Sequence, residues 1–403
     1  KQLILLNRMK NLNLKFQQHI DNGLYQGIEW KIIHKDEVYH DKVGYSDLSS
    51  KNPLLSNSLY RIWSMTKPII SVVILQLIQE NKIKLDDPIK KYLPVFENLK
   101  VLKENSNSIS DTQDIKNHPT IKDLLLHTAG FSYNFLNDPV GEEYHNVGLF
   151  NSDHSTLEDE INLLATLPLL YEPNTRWLYS VSVDILARII EVVCNSTLQE
   201  ELKQRIFNPL EMEDTSFTIT KENESRLVTS YHYDAENKKL IDPITHPRKI
   251  SNYGYPINKS SFARGGIGLY STANDYSKFA QMLLTGKNKN QKIILSKDIL
   301  KSATTNQISN AYLPYEIKNF DVEKLEENVF EPYGWGYGFR VMMDTNKSND
   351  YGSIGEFGWA GAASTYFLVD PKNDLTAVLM TQVFEGDIIL YKEFFQSIYK
   401  KLK

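Results

Sequence analysis

The chain has 403 residues, 41% of them apolar and 24% charged, which is the composition of a globular protein and excludes a disordered, collagen-like or disulfide-stapled chain. At roughly 150 residues per domain the length predicts two or three units, or one large unit carrying an insertion. With 45 basic and 50 acidic residues the net charge is −5, and there is no basic block, so nucleic acid and anionic membranes are not expected partners.

In chain order, positions 8–22 predict an amphipathic helix with Met9, Leu12, Phe16 and Ile20 on one side, stopped by Asp21-Asn22-Gly23. Positions 27–33 and 37–45 alternate apolar and polar residues around Lys35-Asp36, as a hairpin does. A strongly apolar helix is expected from Pro68 to Glu80. From there to about Leu284 the pattern is helical segments and long loops, with apolar pieces at 163–170 and 183–193 and a polar surface loop at 103–117. The one cysteine, Cys194, ends an apolar helix and reads as a buried structural thiol. Strands are expected again at 336–343, 363–370 and 375–382, and an amphipathic helix at 388–402. Strands at both ends around a helical middle predict an α+β fold, with one antiparallel sheet built from both chain ends and flanked by helices. The expected division is a discontinuous sheet unit, 1–85 with 285–403, and a mainly helical insertion, 86–284, with the active site between them.

The most apolar run, 69–78, is interrupted by Ser71 and Gln76 and falls short of the roughly 20 residues that span a bilayer. The opening residues lack the apolar core and small-residue cleavage site of a signal peptide. Cytoplasmic location is the default expectation. The sequence opens on Lys1, so a signal could have been removed upstream, with the periplasm as the alternative.

Much familiar chemistry is missing from the sequence. There is no His-Glu-x-x-His, no P-loop and no Gly-x-Ser-x-Gly, and the nine histidines show no ligand spacing. Positions 334–338 resemble a dinucleotide fingerprint only loosely and lead into a strand. No metal or organic cofactor is therefore expected.

One short motif carries chemistry. Ser64-Met65-Thr66-Lys67 precedes the apolar helix. Positions i and i+3 of a helix share a face, so the Lys67 amine can lie beside the Ser64 hydroxyl. Pro68 is tolerated in a first turn. The orphan N–H groups there favour negative charge on the serine oxygen, and a buried lysine loses proton affinity and can act as a base. Spacing alone leaves open an N-cap serine with a solvent-facing lysine.

The longer stretch Leu59-Tyr60-Arg61-Ile62-Trp63-Ser64-Met65-Thr66-Lys67-Pro68-Ile69 resembles the nucleophile segment of the serine β-lactamase-like superfamily, in its branch of class C β-lactamases and family VIII carboxylesterases. Leu85-Asp86-Asp87-Pro88-Ile89, Leu124-Leu125-Leu126-His127-Thr128-Ala129-Gly130 and Gly265-Gly266-Ile267-Gly268-Leu269-Tyr270-Ser271-Thr272-Ala273 follow in that family's order. The resemblance implies that Ser64 is the nucleophile, and that Tyr179, in Tyr179-Ser180-Val181, is the base together with Lys67. A phenol beside a cationic lysine is expected to have a lowered pKa. It also implies an oxyanion hole from the Ser64 and Ala362 N–H groups, and substrate contacts from Trp359 and Gly361 in Gly358-Trp359-Ala360-Gly361-Ala362-Ala363, expected as a Gly-rich turn entering a strand. His127 is expected to be structural.

The third motif has Trp359 where lactamases have lysine, and the second has Val181 where they have asparagine. Both departures point away from β-lactams and toward a neutral ester. The expectation is a carboxylesterase working through an acyl-enzyme on a small-molecule ester or amide. The alternatives are a β-lactamase or D-amino-acid peptidase, an acyltransferase, and a binding protein without catalysis. Oligomeric state is left open. The irregular segment 312–332 is expected to cover the site.

Overall fold

The computed structural model describes residues 2–150, 156–242, 263–308, 332–348, 351–386 and 389–399. Apart from Pro332, the segment expected to cover the site lies outside them.

The main sheet has seven strands, β1 (Gly27–His34), β2 (Glu37–Gly44), β3 (Tyr333–Trp335), β4 (Arg340–Met342), β5 (Phe357–Gly361), β6 (Thr365–Asp370) and β7 (Leu375–Met380). Their order is β2-β1-β7-β6-β5-β4-β3 and every pair is antiparallel. The first hairpin joins the last one, with Glu29 opposite Met380 and His34 opposite Leu375. The strand period of two divides the faces. Ile28, Trp30, Ile32, Leu368, Ala377 and Leu379 pack with Leu12 and Phe16 of helix Gln2–Asp21 and with Phe394, Phe395 and Ile398 of helix Ile389–Tyr399. Phe367, Val369, Val378 and Met380 belong to the core on the other face, where the Tyr276 ring of helix Ala273–Thr285 stands 5.0 Å from Phe367. The fold is thus α+β, an antiparallel sheet between helices.

Helix Thr66–Gln79 carries isoleucine, valine and leucine all round and is buried almost throughout, as a helix without a polar face must be. It packs on helix Ser182–Cys194. Each fully buried branched side chain there contributes roughly 1.5–3 kcal/mol, so the helix that carries Lys67 is among the best anchored elements of the molecule.

Some local expectations are corrected. The strand expected over 336–343 is only Arg340–Met342, because Gly338 turns at φ 93°. The polar loop 103–117 contains a short strand, Thr112–Asp114, paired with Lys100–Leu102. Cys194 ends its helix but is only partly buried. Of the stretch 358–363 expected as a turn, 358–361 belongs to strand β5, and the turn comes later, at 362–364.

Candidate active site

The segment before Ser64 is held by backbone pairing. Tyr60–Arg61 pairs antiparallel with Tyr270–Ser271, and the Ile62 N–H donates to the Leu269 carbonyl at 3.0 Å. The chain then turns through Trp63 at φ 47°, a left-handed conformation that bulky residues rarely adopt. The Trp63 ring packs edge-on against Phe384 with centroids 5.1 Å apart. Ser64 sits in the single turn Trp63–Met65 that opens into helix Thr66–Gln79, and the Tyr276 hydroxyl pins that turn by donating to the Met65 carbonyl at 2.7 Å. Lys67, one turn on, is 1% exposed. Its Nζ lies 3.0 Å from Ser64 Oγ and 2.8 Å from the Gly266 carbonyl. The solvent-facing lysine of the alternative reading is not found.

Burial pushes the Lys67 amine well below its usual pKa; Asp184 opposes this and Arg264 adds to it. Tyr179 is shifted the other way. Burial raises its phenol well above the usual range, although hydrogen bonds from the Ser64 hydroxyl and the Trp359 indole pull it down. The expected lowered phenol pKa is therefore corrected. Burial thus favours the uncharged form of both groups beside the serine, the amine of Lys67 and the phenol of Tyr179. Both tyrosine rings near the amine present their faces to it, Tyr179 at 4.6 Å and Tyr133 at 5.2 Å from Nζ to the centroid.

Strand β5 brings the third motif to the same place. A Cβ on Gly361 would lie 2.4 Å from the Ile62 carbonyl oxygen, so only a glycine lets the strand approach the nucleophile turn this closely. Ala362 follows at the exposed end of the strand. Trp359 is buried; its Nε1 donates to the Tyr179 hydroxyl at 3.1 Å and its ring lies 5.2 Å from the Tyr179 ring. Trp335 meets Trp359 edge-on at 4.6 Å, which makes this wall aromatic and neutral.

His127 lies beside the site without reaching Ser64. It takes φ 55° at the end of helix Ile121–Leu126, and its Nδ1 accepts from the Ser180 N–H at 3.2 Å. Burial, and then Lys67, hold its pKa well below the usual value. Sequence reasoning missed three groups here. The Tyr133 hydroxyl is buried with no hydrogen-bond partner among the described residues. Asp184, 0% exposed, accepts from Arg264 Nε and Nη2 at 3.2 Å each and from the Gly266 N–H at 3.0 Å. The glycines at 265 and 266 are needed for this closeness, since a Cβ on Gly265 would meet the Val183 carbonyl at 2.5 Å and one on Gly266 would meet the Asp184 carboxylate at 2.4 Å.

Among the described residues no group of three His, Cys, Asp or Glu side chains could hold a metal ion, and no helix is long and apolar enough to cross a membrane. The model of the family described as Beta-lactamase matches residues 12–388. Protein Rv1367c of Mycobacterium tuberculosis is 28% identical over 371 residues, covering 90% of this chain and 87% of that protein. Esterase EstB of Burkholderia gladioli is 24% identical over 370 residues, covering 88% and 85% respectively. Among solved structures, EstCE1, a hydrolase with promiscuous acyltransferase activity, superposes with a TM-score of 0.80 at 24% identity over 98% of both chains. With a family match over nearly its whole length and a fold shared with a protein of that kind, the chain belongs to the Beta-lactamase family.

Proposed function

We propose that the chain is a serine hydrolase of the carboxylesterase kind, acting through an acyl-enzyme on Ser64. The carrying observation is the fully buried Lys67 amine, its pKa pushed down by burial, 3.0 Å from Ser64 Oγ. In this reading Lys67 takes the Ser64 proton as the oxygen attacks the ester carbonyl. The resulting ammonium is stabilised by the Gly266 carbonyl and the two tyrosine faces. The oxyanion rests on the Ser64 and Ala362 N–H groups. The carbon–oxygen bond to the alcohol breaks, and the alcohol leaves with the proton carried from Lys67 through the Tyr179 hydroxyl. Water then reacts by the same route, and the acid departs while Ser64 regains its proton.

Tyr179 is thus a proton relay rather than a resting phenolate. The buried, uncharged wall of Trp359 and Trp335 supports a neutral acyl group over the carboxylate of a β-lactam. The likeness to EstB supports the esterase reading. The acyltransferase activity ascribed to EstCE1 supports a second one, in which an alcohol takes the place of water. We also read the cleft as lying between a sheet unit, 1–85 with 285–403, and an inserted helical unit, 86–284.

The test pairs wild type with Ser64→Ala on a short-chain p-nitrophenyl ester and a chromogenic cephalosporin. Ester turnover that vanishes in the variant, with little cephalosporin turnover, is expected. Strong cephalosporin turnover would replace the esterase reading with a β-lactamase one, and ester turnover that survives Ser64→Ala would remove Ser64 from the chemistry. Ester product formed on added alcohol would establish transfer.

A further inference from the structure

We propose that Asp184 is a positioning residue for the reaction, clamping Gly266 from one side so that the Gly266 carbonyl, on the other, aims the Lys67 amine at Ser64. The inference rests on the reading of Ser64 and Lys67 as the reacting pair. Asp184 stands in the first turn of helix Ser182–Cys194, wholly enclosed. One carboxylate there holds both the Gly266 N–H, at 3.0 Å, and the Arg264 guanidinium, at 3.2 Å. Arg264 is in turn stacked over the Phe150 ring at 3.9 Å. Residues 264–266 are therefore fixed at both ends, with no room at Gly266 for even a methyl group.

A neutral amine has two N–H bonds and one lone pair. Committing an N–H to the Gly266 carbonyl at 2.8 Å leaves the lone pair free to face Ser64 Oγ at 3.0 Å. In the second motif Val181 has no polar group to offer the lysine. Asp184 is the next carboxylate or amide along that segment, and it acts through the Gly266 backbone instead. The buried pair also has a second effect, because its two charges act on Lys67 with opposite sign. Lys67 is faced by Ser64 from the turn that precedes its helix and by Tyr133, Tyr179, His127, Asp184 and Arg264 from neighbouring segments. Among these, Asp184 and Arg264 form an ion pair with each other.

The test measures the rate at which a fluorophosphonate labels Ser64, by intact mass, as a function of pH. Wild type is expected to show an acid limb reporting protonation of Lys67. Asp184→Ala loses the clamp and is expected to label at least ~tenfold more slowly at every pH, because misaimed groups lose large factors in rate. Asp184→Asn keeps an oxygen for the Gly266 N–H and is expected to recover to within ~threefold, with the limb ~0.5 pH unit lower because only the charge is gone. Arg264→Gln is expected to move the limb upward. If Asp184→Ala does not fold, the decision passes to Asp184→Asn. A limb coincident with wild type in that variant, or equal loss in the Asn and Ala variants, would overturn the proposal and leave a purely structural ion pair. A wild type that does not label at all would overturn the Ser64 reading itself, a distinct result.

Discussion

The Trp359 indole donates its N–H to the Tyr179 hydroxyl at 3.1 Å, tying the third motif of the chain to the second across 180 residues of sequence. The bond orients the phenol and, together with the hydrogen bond from Ser64, opposes the burial that makes the phenol so weak an acid. Trp359→Phe preserves most of the aromatic wall and deletes the donor. The net worth of such a bond, ~1 kcal/mol, corresponds to a ~five- to tenfold fall in kcat on a p-nitrophenyl ester with KM little changed. Cephalosporin turnover is expected to stay where it was. Steady-state kinetics on both substrates check this, and an unchanged kcat would remove the bond from the mechanism.

Lys67→Met separates activity from stability. Labelling of Ser64 should fall by ~10³-fold or more, since base and nucleophile act as a unit. The fold should not suffer, because burying an amine against its solvation is unfavourable and methionine has similar volume and no such penalty. The pH dependence follows from the depressed folded pKa. Between that value and the ordinary 10.5 the unfolded chain binds the extra proton, so wild-type stability rises with pH through this window. The variant should lack the rise. Thermal melts across roughly pH 6 to 10 provide the comparison, and identical slopes would mean that Lys67 is not held neutral.

At the far side of the sheet, Glu356 is enclosed by Tyr399, Asp370, Arg340 and the Ser353 backbone, and burial raises its pKa to about 7. Tyr333, Tyr351 and Tyr391 complete the surroundings of Arg340. This raised value has the opposite sign to that of a salt-bridged acid. Between the ordinary 4.5 and about 7 the folded state holds the proton that the unfolded chain has released, so stability falls as pH rises through that window. Glu356→Gln keeps the shape and removes the titration. Its melting temperature relative to wild type should climb from pH 5 to pH 8, and a constant difference would place the ionised form in the native state.

His127 offers a control. Asparagine tolerates the left-handed backbone at φ 55° and can place an oxygen where Nδ1 accepts from Ser180. His127→Asn removes a ring packed against Trp177, Tyr179 and Trp335 and should lower stability by ~2–3 kcal/mol. The acid limb of Ser64 labelling should remain, as should activity to within ~tenfold, because a residue that only packs contributes indirectly. A stable variant that had lost a factor of ~10³ would instead mark His127 as chemical.

The parts of the site that could be read in advance are those written locally. Ser64 and Lys67 lie three residues apart where a turn opens into a helix whose apolar residues announce it, and the first hairpin shows itself by alternation. Strand β5 hid because Gly358 and Gly361 imitate a turn, when in fact they admit neighbouring backbone. The Asp184–Arg264 pair spans 80 residues and has no period, so only packing reveals it. The acidity of Tyr179 was misjudged for the same reason. Its direction is set first by the burial of the phenol itself, and that burial comes from several distant segments rather than from the spacing of the motif.

The pairing of β1 with β7 has a consequence for synthesis. When a ribosome has delivered Ser64, Lys67 and Tyr179, the first hairpin still lacks the neighbour strand that fills its open edge, and Trp359 and Gly361 have yet to be made. A nascent chain therefore carries its nucleophile for nearly three hundred residues with no wall behind it. Long-range closure of this kind is slow to form. It also delays the chemistry, because Ser64 meets a finished pocket only when the last strands slide in beside the first.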